Sequence, residues 1–245
     1  MTRLAHVADA GVPFEPPAKV AVATRIGVVA IAALVVGATG SRGIPLPAST
    51  DVYDDTVATI ADAPAWVGQG FEVVSELGLV VLAGALLLAA WRHRRHAVLL
   101  ARTVAGGCGV VLAYATSEAL KMATAQPRPC LGLAPGDTVA DCPPATDWSL
   151  PSNHATIAMA LAVALTFTSA RAARWAIPLA LSVAASRVII GVHYPHDVAS
   201  GLLLAATVVT ATVLVLERPV GVLVTRWNLR LRSTAERAEF EQGPC

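Results

Sequence analysis

The residues best equipped for chemistry fall in three clusters. Lys121 is followed after six residues by Arg128 and Pro129. Pro151, Ser152, Asn153 and His154 stand directly before a long uncharged stretch. Ser186 and Arg187 are followed after five residues by His193 and, after three more, by Asp197. A carboxylate close to an imidazole fixes its tautomer and supports the charge that develops on the ring during nucleophilic attack, and His193 and Asp197 flank the start of the last apolar run. His196 stands nearer Asp197 in sequence and is an alternative partner on spacing alone; it is expected as an outward-facing neighbour. Ser152 or Asn153 sits where a helix N-cap belongs, and the first turn of that helix offers free backbone N–H groups and a positive dipole end to an anion. Pro127 and Pro129 interrupt any helix continuing from Lys121, so that pair is expected as one cation at a helix end and one on the extended strand leaving it. Lys121, Arg128 and Arg187 would then surround a dianionic group, with two histidines acting from opposite sides of one phosphorus.

Each cluster alone also has a purely structural reading. Interfacial Lys and Arg lay their stems along apolar surface, and a capped helix with a histidine at its start requires no ligand. The elements that carry the clusters decide between these readings.

The chain has 245 residues, 55% of them hydrophobic and 14% charged, with a mean hydropathy of +0.62. A soluble domain carries about 25% charged residues, so the expected class is an all-α integral membrane protein. Eighteen basic residues against 17 acidic ones leave a net charge of +1, which argues against an electrostatically driven nucleic-acid partner, while the hydrophobicity argues against disorder. Apolar runs place six transmembrane helices near residues 20–40, 73–91, 97–119, 154–171, 174–190 and 197–216. The expected organisation is a cytoplasmic leader over 1–19, a six-span membrane domain over 20–216 and a cytoplasmic tail over 217–245. The first apolar run lacks a small-residue cleavage pattern and is expected as a retained span.

Basic residues orient such a chain, because they are retained on the cytoplasmic side. Arg92, Arg94 and Arg95 lie between the second and third spans, Arg171 and Arg174 between the fourth and fifth, and Arg218, Arg226, Arg230, Arg232 and Arg237 after the sixth. Both termini and these two turns are therefore expected in the cytoplasm of a multi-pass cell-membrane protein. The opposite face retains Arg42, Lys121, Arg128 and Arg187, three of which belong to the clusters. All three clusters thus share the extracytoplasmic ends of the helices.

Between the first two spans, Asp51, Asp54, Asp55 and Asp62 beside Val52, Val57 and Ile60 suggest a short amphipathic helix on the outer surface rather than a substrate gate. Cys130 and Cys142 share a Pro- and Gly-rich outer loop with little apolar surface to bury, and a disulfide between them would contribute roughly 3 kcal/mol of loop-closure entropy. Cys108 is expected as a packing residue. The tail from Trp227 to Glu241 mixes Arg and Glu as a solvated helix or a frayed end would. No Cys/His spacing suggests zinc, and no magnesium motif is present.

The pattern K-x6-R-P, then P-S-x-H, then S-R-x5-H-x3-D resembles the type 2 phosphatidate phosphatase superfamily, in its membrane lipid phosphatase branch. The motifs extend from Lys121 to Asp197. The resemblance implies a metal-independent phosphatase that works through a phosphohistidine and needs no cofactor. By position, His193 would be the nucleophile and Asp197 its orienting partner. His154 would protonate the leaving oxygen, and Lys121, Arg128, Ser152, Asn153 and Arg187 would bind the phosphate, suiting a reaction in which positioning and charge stabilisation do most of the work. One departure is Asn153, where many members have Gly; a side chain there would restrict the head groups admitted.

The function expected is hydrolysis of a lipid phosphate or diphosphate at the outer leaflet, with a polyprenyl diphosphate such as undecaprenyl diphosphate first among the substrates. Phosphatidate and phosphatidylglycerol phosphate are the alternatives. A reading of another class is a non-catalytic anion-binding protein or transporter. Transporter sites commonly lie at the bilayer midplane between repeated halves, and this chain shows neither feature. Membrane lipids and the lipid substrate are the expected partners; sequence does not set the oligomeric state.

Overall fold

The computed structural model describes residues 45–134 and 138–241, with side chains through Trp227. The leader over 1–19, the first expected span and Arg42 lie outside the described residues, as does Cys245. Six α-helices follow in order: α1 (Pro47–Ala61), α2 (Ala65–His93), α3 (Ala97–Thr124), α4 (Asn153–Thr166), α5 (Ala170–Ile189) and α6 (Pro195–Glu241). A 3-10 turn, Pro129–Gly132, lies between α3 and α4, and no strand occurs among the described residues.

Among the described residues four helices, α2, α3, α5 and α6, are long and apolar enough to cross a membrane. Each has large apolar side chains that point outward, with Val80 and Leu87 of α2, Val111 of α3, Leu181 of α5 and Val215 of α6 all exposed, as lipid-facing surface requires. The expected fourth span departs from its predicted limits. Helix α4 ends at Thr166 rather than 171 and has 14 residues, which at 1.5 Å per residue is about 21 Å, short of a hydrocarbon core of roughly 30 Å. It packs against α2, α3, α5 and α6, and Ala155, Ala158, Ala160, Ala162 and Ala164 are fully buried. Small side chains let four neighbours close around one helix. Helix α6 also exceeds its predicted limit, continuing past residue 216 as one helix through Glu241, 47 residues in all.

Cys108 faces outward from α3 instead of packing inside it. Helix α1 forms where the acidic amphipathic segment is expected, and Tyr53, Val57 and Ile60, at i, i+4 and i+7, share its less exposed side. Ser49 and Tyr53 are buried while Val52 is exposed. Tyr53 donates a 2.8 Å hydrogen bond to the Gly191 carbonyl, so α1 lies across the loop between α5 and α6. Cys130 and Cys142 are joined by a disulfide, with their Cα atoms 5.7 Å apart; this ties the 3-10 turn to the loop that returns towards α4.

Candidate active site

Each motif is carried by the start or end of a helix. Lys121 lies in the last turn of α3, which closes with Ala125 in a left-handed conformation, φ 45°. Arg128 follows on extended backbone, φ −73° and ψ 146°. Ser152 is the N-cap of α4, but its side chain makes no cap bond. His193 lies in the loop between α5 and α6, and Asp197 is in the first turn of α6. Gly201 brings the last two motifs together. A Cβ at this position would come within 2.7 Å of the Ser152 carbonyl and 2.8 Å of Thr156 Oγ1, so only glycine lets α6 lie this close to the start of α4. A backbone bond from Ser152 N–H to the Asp197 carbonyl, 3.0 Å, closes the same junction.

His193 is buried, 1% exposed. Its Nε2 lies 2.9 Å from Arg128 Nη1. Its Nδ1 faces Ser149 Oγ at 3.3 Å and Asp197 Oδ2 at 3.4 Å. A guanidinium can only donate, so Nε2 carries the lone pair and Nδ1 the proton. Burial first, and then the charges of Arg128 and Arg187, push the imidazole well below its ordinary value of 6.5, which keeps it neutral at pH 7. The Asp197 carboxylate is held on every side. Gln126 Nε2 donates to Oδ1 at 2.9 Å and the Tyr194 N–H donates to Oδ2 at 2.9 Å. Ser149 donates a short bond to Oδ2 as well.

The three motif cations are nearly buried, with Lys121, Arg128 and Arg187 exposed by 3, 6 and 8%. Such groups need partners. Lys121 Nζ lies 2.8 Å from Asp147 Oδ1, and Arg128 Nη2 lies 2.9 Å from Asp147 Oδ2. Burial alone would raise the Asp147 carboxyl, but the Lys121 hydrogen bond and the Arg128 charge outweigh it and hold the group below its ordinary value of 3.8. Arg187 Nη1 donates to Ser75 Oγ at 2.9 Å and lies 3.9 Å from Glu76. His154 Nε2 is 3.0 Å from Glu76 Oε1. Asn153 is turned towards α3, where its Nδ2 donates to Glu118 Oε1 at 2.6 Å and its Oδ1 accepts from Ser117 at 2.9 Å.

His196 is not the outward-facing neighbour expected. Its Nε2 is 3.2 Å from Asp197 Oδ1, its Nδ1 is 2.8 Å from Ser49 of α1, and its ring stacks on Tyr194. Asp197 therefore lies between two histidines. His196 takes the side towards Gln126 and α1, and His193 takes the side towards Arg128. Spacing alone does not reveal Gln126, Ser149, Asp147, Glu76 or Glu118. Glu76 comes from α2, Glu118 from α3, Gln126 from the segment just after α3, and Asp147 and Ser149 from the loop before α4. Among the described residues no group of three or more His, Cys, Asp or Glu side chains is placed to hold a metal ion.

No curated protein matches the chain in sequence. A solved structure similar to it is that of a transmembrane PAP2-type phosphatidylglycerolphosphate phosphatase from Bacillus subtilis, 18% identical, with a TM-score of 0.46, covering 84% of this chain and 96% of that one. The PAP2 superfamily model matches residues 102–220, a segment that begins inside α3, ends inside α6 and includes all three motifs, while Ser75 and Glu76 of α2 lie outside it. Over that segment the chain is similar to the PAP2 superfamily.

Proposed function

We propose that this protein is a metal-independent membrane phosphatase that hydrolyses a lipid phosphate or diphosphate at the extracytoplasmic surface through a phosphohistidine on His193. The observation that carries this reading is a pair of unsatisfied atoms. Among the described residues, the buried side-chain N and O atoms without a hydrogen-bond partner are Ser152 Oγ and Arg187 Nε. Such atoms are costly, at about 1–3 kcal/mol each, and both belong to motif residues. A phosphate oxygen accepting from Ser152 and Arg187 would offset that cost, with Lys121 and Arg128 completing the cradle.

The steps follow from the tautomer. Arg128 turns its Nη1 from His193 Nε2 to a phosphate oxygen, and the freed lone pair attacks phosphorus. The N–P bond forms as the bond to the leaving oxygen breaks, and His154 supplies that oxygen with a proton. Asp197 and Ser149 support the charge on the ring through Nδ1. Water, deprotonated by His154, then attacks phosphorus, and the N–P bond breaks to release phosphate and neutral His193.

A polyprenyl diphosphate is the first choice of substrate, followed by phosphatidate and phosphatidylglycerol phosphate. Asn153, fixed against α3 where many members have Gly, narrows the space for the head group. Phosphate release from these three lipids in detergent, by wild type and His193→Ala, tests the reading. The variant should lose about 10⁴-fold or more on whichever lipid is turned over. Unchanged release by the variant would refute the mechanism, and binding without release by wild type would favour the anion-binding alternative.

A further inference from the structure

The cradle proposed for phosphate already holds an anion, and that anion belongs to the chain. The Asp147 carboxylate bridges the two cations, Oδ1 to Lys121 at 2.8 Å and Oδ2 to Arg128 at 2.9 Å. The remaining Arg128 contacts are also internal. Nε donates to the Asp147 carbonyl at 2.8 Å, and Nη1 reaches the Val192 carbonyl and His193 Nε2 at 3.1 and 2.9 Å. In this arrangement neither Lys121 nor Arg128 offers its charge to a ligand, and the lone pair of the proposed nucleophile is occupied. Asp147 itself is the exposed partner. Its side chain is 46% exposed, against 4% for each of the two cations, and it lies on a turn closed by its own N–H to the Pro144 carbonyl at 2.8 Å. The turn is held by backbone bonds, so the carboxylate can swing towards solvent without moving the cations.

We propose that Asp147 is a displaceable internal counter-anion that sets which head groups enter the site. The proposal rests on the phosphatase reading above. A membrane is crowded with phosphodiester lipids, each carrying one negative charge on phosphorus. Exchanging one carboxylate for one such monoanion gains nothing electrostatically between Lys121 and Arg128. A phosphomonoester, a terminal diphosphate or inorganic phosphate brings more charge and more acceptor oxygens to the same two cations, and it displaces the carboxylate. Asp147 is thus a specificity-determining residue that acts by competition. It excludes the abundant lipids that would otherwise occupy the cradle unproductively, and weaker binding of the true substrate is the accompanying cost.

The test compares Asp147→Asn with wild type for inhibition by orthovanadate and by phosphatidylglycerol, with lipid hydrolysis in detergent as the readout. The asparagine keeps the backbone carbonyl that holds Arg128 Nε and removes only the charge. The variant should bind vanadate about tenfold more tightly, the equivalent of about 1.4 kcal/mol, and phosphatidylglycerol should become a competitive inhibitor. Asp147→Glu, which keeps the anion, should stay close to wild type on both. Vanadate inhibition in Asp147→Asn that is unchanged or weaker than in wild type overturns the proposal, because a merely structural role for Asp147 predicts looser binding. Wild type alone supplies a second check that needs no folded variant. Phosphatidylglycerol inhibiting as strongly as inorganic phosphate would also overturn it. Wild type that is insensitive to vanadate, or fully active as His193→Ala, removes the phosphatase reading and this proposal together.

Discussion

His193 and His154 stand at the same end of the bundle in opposite surroundings. His193 is enclosed, with 2% of its side chain exposed, between Arg128 on Nε2 and Ser149 and Asp197 on Nδ1. His154 has 26% of its side chain open and pairs with Glu76, itself 63% exposed on α2. An imidazole with both nitrogens held in a water-poor site has one tautomer and one direction of attack. An imidazole beside solvent and a carboxylate exchanges protons readily. The floor of the site thus suits a nucleophile and the rim suits an acid and base, and burial gives the two proposed roles different surroundings.

The leaving group offers the strongest way to break this comparison. His193→Ala should lose about 10⁴-fold or more on any phosphate ester, whereas His154→Ala should lose about 10²–10³-fold on a lipid. On p-nitrophenyl phosphate, whose leaving group departs without a proton, the His154 variant should lose far less. Equal losses on both substrates would erase the distinction between floor and rim. A smaller effect is expected at the floor from Ser149→Ala, which removes the hydroxyl between His193 and Asp197. It should lower kcat about tenfold, one charge-assisted hydrogen bond's worth, with KM little changed. At the rim, Glu76→Gln should cost about three- to fivefold on the lipid, within the range for an exposed ion pair, and leave p-nitrophenyl phosphate turnover unaffected.

Stability against pH probes the floor alone. His193 is held neutral, so the folded protein binds fewer protons there than the unfolded chain does. The contribution is complete above pH 6.5 and is lost as pH falls below it, with a slope of up to about 1.4 kcal/mol per pH unit. The melting temperature in detergent should fall on acidification through this window, and His193→Asn should fall less steeply. Parallel curves would show that the buried imidazole is not the group that resists charging.

The motif residues are legible in the sequence because each motif lies within one helix terminus and its adjoining turn, so a fixed spacing survives as a pattern. Lys121 ends α3, Ser152 starts α4 and Asp197 starts α6, close to where apolar runs and prolines place those limits. The length of α4 was not legible. Apolar composition continues past Thr166, and the chain leaves the helix in a Phe167–Ser169 turn that caps α5 through Ser169 Oγ. His196 was misread because sequence distance from Asp197 says nothing about a partner on α1, and Ser49 reaches it across 147 positions.

The sequence by itself determined the class of chemistry and the end of the helices that carries it. Cations and histidines are too costly inside a charge-poor apolar chain to be incidental, and the spacing within each motif is set by local backbone geometry. Tertiary structure alone decided the surroundings of those groups. It buried His193 and left His154 at the rim, joined Asp197 to Gln126 and Ser149, and set Asp147 between Lys121 and Arg128. Burial and cross-element contacts depend on which helices meet, and a spacing within one segment carries no record of that.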